Sequence, residues 1–289
     1  MPVRWKALIF LSAAAACSIS WAADIIRLQR DDGKSLSARV YFPANECKGI
    51  AIISHGAGGS EQGYGYLARF MASQDYLTVV PGHQESGMKV LLKFMQGKDL
   101  PSGLSQLVTD KAAYAGRLMD ISAARQWSAP RCSAKTSILL GHSMGAATTM
   151  IVAGAENKMG IDDTVRKSLL TNPGFDRYVA LSPQGVGSIF PGHAWVNIHQ
   201  PVLLMTGTKD EALGGGSWNK RTEAFADMPA GCKWLGVING ATHMNFAGRD
   251  LTPQMTTLIT KTIGDFLQAA PDRGCTVASV AVGLTLSTK

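Results

Sequence analysis

Short apolar runs recur along the chain, separated by stretches whose apolar positions return every three or four residues. The first kind reads as buried strands and the second as amphipathic helices. Ile25 to Arg30 and Ser37 to Phe42 flank the turn signal Asp31-Asp32-Gly33-Lys34, which predicts an antiparallel pair. Lys48 to Ser54, Tyr76 to Val80, Thr136 to Leu140, Tyr178 to Leu181, Pro201 to Thr206 and Lys233 to Ile238 predict further strands. Helices are expected over Gln62 to Gln74, Met88 to Met95, Leu107 to Trp127 and the small-residue segment after Gly145. A last helix is expected over Thr252 to Ala269, with Pro253 in the first turn, where proline is tolerated. Gly97 to Gly103 reads as loop. Strands alternating with helices give an α/β class, a mostly parallel central sheet with helices on both faces. No internal repeat interrupts this order, so residues 23–289 are expected to form one domain.

The amino-terminal residues are a separate matter. Arg4 and Lys6 precede the apolar run Ala7 to Cys17, and Ser20-Trp21-Ala22 places small residues where a signal peptidase reads them. Residues 1–22 therefore read as a secretory signal cleaved before Ala23, and the protein as exported, periplasmic or extracellular. The run is short for a membrane span, so no integral membrane segment is expected in the mature chain. A lipoprotein alternative stands beside this, with Ala14-Ala15-Ala16 before Cys17 but without the usual leucine three places upstream.

Composition narrows the partners. With 46% hydrophobic and 17% charged residues the chain is globular with a large core. Its formal charge of +7 is spread along the sequence without a Lys/Arg block or aromatic interleaving, which points away from nucleic acid. Four cysteines remain after the leader, Cys47, Cys132, Cys232 and Cys275. An even count in an exported chain invites disulfides, with three connectivities open, and the alternative is four buried thiols. Their spacing is not that of a zinc site, and no metal or organic cofactor is expected. In His55-Gly56-Ala57-Gly58-Gly59-Ser60-Glu61 a glutamate stands where a dinucleotide fingerprint needs its third glycine.

Candidate chemistry gathers at strand ends, where open parallel sheets hold their ligands. Thr136 to Leu140 runs into Gly141-His142-Ser143-Met144-Gly145, a strand, sharp turn and helix with Ser143 at the bend. Pro201 to Thr206 is followed by Gly207-Thr208-Lys209-Asp210-Glu211, and Lys233 to Ile238 by Gly240-Ala241-Thr242-His243. The order is serine, acid, histidine, each at the tip of a different strand. A serine hydroxyl is a poor nucleophile at neutral pH, so His243 is the expected base and Asp210 the group that orients it, with Glu211 the alternative acid. The amides of Met144 and Ala57, with Gly58 as alternative to Ala57, are candidates for stabilising an oxyanion, each such donor being worth about 3 to 4 kcal/mol. Tyr64, Trp195 and Trp218 are candidate substrate contacts.

His55 to Gly59 with Tyr64 to Leu67, Gly141 to Gly145, Ala180-Leu181-Ser182-Pro183, Thr206 to Asp210 and Gly240 to His243 resemble the α/β-hydrolase superfamily. Within it they are similar to bacterial dienelactone-hydrolase-like and platelet-activating-factor-acetylhydrolase-like members. The resemblance spans most of the mature chain and implies the α/β-hydrolase fold and a serine esterase without a cofactor, acting on a small-molecule or polymer ester. Dienelactone hydrolases use a cysteine nucleophile, and the serine here favours ordinary ester cleavage. Acyl transfer or peptide cleavage by the same triad, and a non-catalytic binding protein on the same fold, are the alternatives. The implied strand order puts Cys47 and Cys132 before neighbouring strands and returns Cys275 towards Cys232, giving the pairs Cys47–Cys132 and Cys232–Cys275. Without a long insertion, the site is expected to be open and suited to short acyl chains or exposed polymer esters, bordered by Gln84 to Ser105 and Ser182 to Ile198.

Overall fold

The computed structural model describes residues 23–133, 136–170, 174–211, 215–269, 275 and 281–289. The expected leader, 1–22, lies outside the described residues. β1 (Ala23–Gln29) and β2 (Ser35–Tyr41) form the expected antiparallel pair. β3 (Gly49–Ser54), β4 (Tyr76–Pro81), β5 (Ser137–His142), β6 (Arg177–Leu181), β7 (Val202–Lys209) and β8 (Lys233–Thr242) run parallel. β9 (Leu284–Thr288), absent from the sequence reading, adds antiparallel to the far edge. The sheet order is β1-β2-β4-β3-β5-β6-β7-β8-β9.

The apolar runs have a physical reason in this arrangement. Along β3, Ile50 and Ile52 enter one core while Ala51 and Ile53 enter the other, so a strand covered on both faces cannot alternate with polar residues. On the first face α4 (Lys111–Ser128) and α5 (Met144–Ala153) contribute Tyr114, Leu118, Ile121 and Met150. On the second, α1 (Gly65–Ser73) and α9 (Pro253–Gln268) contribute Leu67, Met71, Ile259 and Phe266. The remaining helices are α2 (Met88–Phe94), α3 (Leu100–Leu107), α6 (Asp163–Leu169), α7 (Glu223–Asp227) and α8 (His243–Phe246).

Two expectations need correction. The loop expected over Gly97 to Gly103 gives way to α3 from Leu100, because the Asp99 side chain accepts from the Ser102 amide and Pro101 fits the first turn. The helix expected from Leu107 begins only at Lys111, where the Asp110 carboxylate accepts from the amides of Ala112 and Ala113. The cysteines pair Cys47–Cys132 and Cys232–Cys275, with Cα separations of 5.6 and 5.1 Å. Cys47 and Cys132 precede β3 and β5, which are neighbours in the sheet. Two disulfides suit an oxidising compartment, and no helix among the described residues is long and apolar enough to cross a membrane.

The bend after β5 leaves no room for a side chain at either of its glycines. A Cβ on Gly141 would lie 2.1 Å from the Gly145 carbonyl oxygen, and one on Gly145 would lie 2.0 Å from that of Ser54. Neither oxygen belongs to a flexible side chain that could move aside. Gly145→Ala is expected to destabilise the protein by more than about 3 kcal/mol or to prevent soluble expression. Gly192→Ala, where nothing lies within 4 Å, should stay within about 0.5 kcal/mol of wild type in the same thermal melts.

Candidate active site

Between β5 and α5, Ser143 adopts φ 55 and ψ −120, a conformation that ordinary L residues avoid. Its amide donates to the Leu181 carbonyl at 3.0 Å, which ties the strained bend to β6. Among the described residues the Ser143 hydroxyl makes no hydrogen bond, and the residue opens on a cleft of about 1230 Å³. His243, at the end of β8, lines the same cleft. Among the described residues no hydrogen bond joins the Ser143 hydroxyl to His243 Nε2, although both residues line the same cleft.

The other side of the His243 ring is closely held. Its Nδ1 lies 3.0 Å from Asp210 Oδ1, and Asp210, just beyond β7, is fully buried. Thr206 Oγ1 donates to Asp210 Oδ2 at 2.9 Å. Glu211, by contrast, is exposed and contacts His243 through no hydrogen bond among the described residues. A buried cation completes the cluster. Arg221 Nε lies 2.7 Å from Asp210 Oδ1, and the same guanidinium donates to the carbonyls of Asp210, Ser182, Pro183 and Glu211. Its Nη2 lies 3.2 Å from His243 Nδ1. With Asp210 accepting the hydrogen bond from His243 Nδ1–H, the Arg221 cation fixes the carboxylate from its other side. Arg221 escaped the sequence reading because it sits in the short turn Trp218–Thr222, with no motif to mark it.

Hydrogen bonding sorts the amides of the glycine-rich loop. Gly56 N–H donates to the Tyr64 hydroxyl at 3.0 Å, Gly58 N–H to the Ser86 carbonyl at 2.8 Å, and Gly59 N–H to the Gly56 carbonyl at 3.1 Å. The Ala57 amide has no partner among the described residues, and Ala57 lines the cleft. Met144 opens α5, so its amide is one that no carbonyl of its own helix can satisfy.

Tyr64 lines the cleft too, but its hydroxyl is committed. It accepts from Gly56 and lies 2.8 Å from His142 Nδ1, while His142 Nε2 lies 3.0 Å from the His243 carbonyl. Burial pushes the Tyr64 phenol up to about 12 and holds His142 well below the usual imidazole range, so both are neutral. His142 Nε2–H therefore donates to His243, and the relay connects the loop at Ala57 to the backbone of the candidate base. The two tryptophans do not line the cleft, contrary to the sequence expectation. Trp195 is buried with its ring centroid 5.1 Å from that of Phe190, and half-buried Trp218 starts the turn that carries Arg221. Both segments expected to border the site do so: α2 and α3 line the cleft with Met88, Leu91, Leu100 and Leu104, and the segment after β6 lines it with Pro183 and Ile189.

A second serine–histidine–aspartate chain lies behind the loop, and it is better closed than the first. Ser54 Oγ is 2.9 Å from His83 Nε2, and His83 Nδ1 is 2.9 Å from Asp120 Oδ2. All three are buried and none lines the cleft. Arg117, also fully buried, donates to Ser54 Oγ, Ser86 Oγ and the carbonyls of His55 and Gly56. A hydroxyl that no substrate can reach, with a cation bonded to its oxygen, is a structural element. Burial lowers His83 well below the usual range and pushes Asp120 up to about 7, with Arg30 pulling the carboxyl back. The neutral ring then donates from Nδ1 to Asp120 and accepts the Ser54 proton at Nε2. The result is a fixed support that turns the His55 and Gly56 carbonyls inward.

No protein-family model matches the chain, and no curated protein matches it in sequence. Solved structures do match. A candidate dienelactone hydrolase from Klebsiella pneumoniae subsp. pneumoniae aligns with a TM-score of 0.59 at 19% identity, over 86% of this chain and 99% of that one. An alpha-beta serine hydrolase homologue from Coxiella burnetii aligns with a TM-score of 0.54 at 16% identity, over 83% and 95%. At these identities the likeness is one of fold: the chain has the architecture of the α/β hydrolases.

Proposed function

We propose that the protein is an exported serine hydrolase that cleaves carboxylic esters. The observation that carries this reading is Ser143 at a strained bend, opening on the cleft that His243 lines while buried Asp210 holds the far nitrogen of that ring. In the first step the Ser143 hydroxyl turns to His243 Nε2 and gives up its proton as its oxygen attacks the ester carbonyl. The negative charge that develops on the carbonyl oxygen is met by the amides of Ala57 and Met144. Collapse of the tetrahedral species breaks the bond to the alkoxy oxygen, which leaves as alcohol with the proton from His243. Water, activated by the same imidazole, then releases the acid and restores Ser143.

The fold alone does not choose ester over amide or hydrolysis over acyl transfer. Purified protein should release p-nitrophenol from aryl esters at least about 10³-fold faster than p-nitroaniline from matched anilides. Added short alcohols should divert only a minor share of the acyl group. Faster anilide cleavage would make the protein a peptidase, and predominant ester product would make it an acyltransferase.

A further inference from the structure

The outer side of α2 sets exposed apolar side chains beside exposed lysines. In α2 the exposed residues alternate in pairs, with Met88 and Leu92 one helical turn apart and Lys89 and Lys93 beside them at the same spacing. Met88 is 52% exposed, Leu92 55% and Leu100, at the start of α3, 48%. Lys98 lies in the exposed link between the helices. The inner side of this pair is already satisfied, because Leu91 and Leu107 are buried and Gly103 packs against Met95. Leu92 therefore lies outside both the core and the cleft, while Met88 and Leu100 line the cleft and are still about half exposed. The nearby acids are occupied: Glu85 pairs with Arg30 and Lys34, and Asp99 accepts from the Ser102 amide. Lys89, Lys93 and Lys98 have no ion-pair partner among the described residues.

We propose that the outer face of α2 and the start of α3 docks on an anionic phospholipid bilayer. Large exposed aliphatic side chains beside unpaired lysines are the two elements that hold a helix at a lipid–water boundary, the first entering the acyl region and the second meeting phosphate. A nucleic acid would match the lysines but leave Met88, Leu92 and Leu100 in water. An uncharged apolar surface would leave the lysines unmatched. Met88 and Leu100 also line the cleft, so docking sets the mouth of the site against the bilayer surface. The proposal does not rest on the esterase reading, because docking is read separately from turnover.

The test uses purified full mature protein and sedimented vesicles, either phosphatidylcholine alone or phosphatidylcholine with phosphatidylglycerol. Binding should be at least about tenfold tighter to the anionic vesicles and should weaken as salt is raised. Replacing Lys89, Lys93 and Lys98 together with glutamate should weaken it by about 100-fold, and Leu92→Ser by about tenfold. None of these four residues lines the cleft, so hydrolysis of a soluble short-chain ester should stay within about twofold of wild type. Equal binding to both vesicle types, no binding to either, or undiminished binding by the lysine variant would each overturn the proposal. Loss of ester turnover with vesicle binding intact would instead count against the catalytic reading alone.

Discussion

Ser143→Ala is expected to lower kcat/KM on a simple aryl ester by about 10⁶-fold while leaving the melting temperature within about 2 °C of wild type. The rate loss follows from removing the atom that forms the acyl bond. The unchanged stability follows from the site: the Ser143 hydroxyl has no hydrogen-bond partner among the described residues, so truncation leaves no buried group unsatisfied. The backbone strain at φ 55 stays in place, since alanine has the same Cβ as serine. Asp210→Asn is the companion variant. An amide cannot supply the charge that meets a protonated His243 ring, and a loss of about 10⁴-fold is expected. It also leaves Arg221 without its carboxylate, so this variant, unlike Ser143→Ala, should melt several degrees lower. Steady-state rates and thermal melts on the same preparations check both statements.

Arg117→Met should cause a large loss of stability while leaving the candidate triad in place. The guanidinium is fully buried and donates to two hydroxyls and two carbonyls. Without it those acceptors stay buried and unpaired, at a cost of about 3 to 5 kcal/mol. For a protein of this size that corresponds to a fall in melting temperature of about 6 to 20 °C. Activity should fall as well, because the carbonyls of His55 and Gly56 are what orient the peptide units leading to the Ala57 amide. The expected signature is a drop in kcat of about 10²-fold with KM within about threefold, since a misaimed donor is felt in the transition state. Arg117→Lys, which keeps the charge but not the fork of donors, should recover more stability than activity.

The parts of the molecule that were legible in the sequence are those written locally. A buried strand followed at once by glycine and a reactive side chain is a continuous string, and three such strings put Ser143, Asp210 and His243 at one edge of the sheet. The disulfide partners became legible through the strand order that the family resemblance implies, which sets Cys47 and Cys132 before neighbouring strands and returns Cys275 towards Cys232. What escaped depends on contacts far apart in the chain. Ser54, His83, Arg117 and Asp120 come from β3, the segment after β4, and α4. Arg117 and Asp120 on an amphipathic helix read as solvent-facing charges until the partners that bury them are known. Trp195 failed for a related reason: apolar character says that a loop residue packs, not on which side of the loop it does so. At α3 two signals competed. Glycines at 97 and 103 with Pro101 suggested a loop, while Asp99 before Leu100-Pro101 is a helix start, and the capping hydrogen bond to Ser102 prevails.

The central claim is that one serine among several has been made reactive. Treating the protein with a fluorophosphonate, which phosphonylates activated serine hydroxyls with loss of fluoride, and mapping the adduct by mass spectrometry tests it most directly. The account predicts a single adduct on Ser143, absent from Ser143→Ala and formed at least about 10³-fold more slowly in His243→Ala. An adduct on Ser54 or any other residue, or none on Ser143 in the native protein, would contradict it.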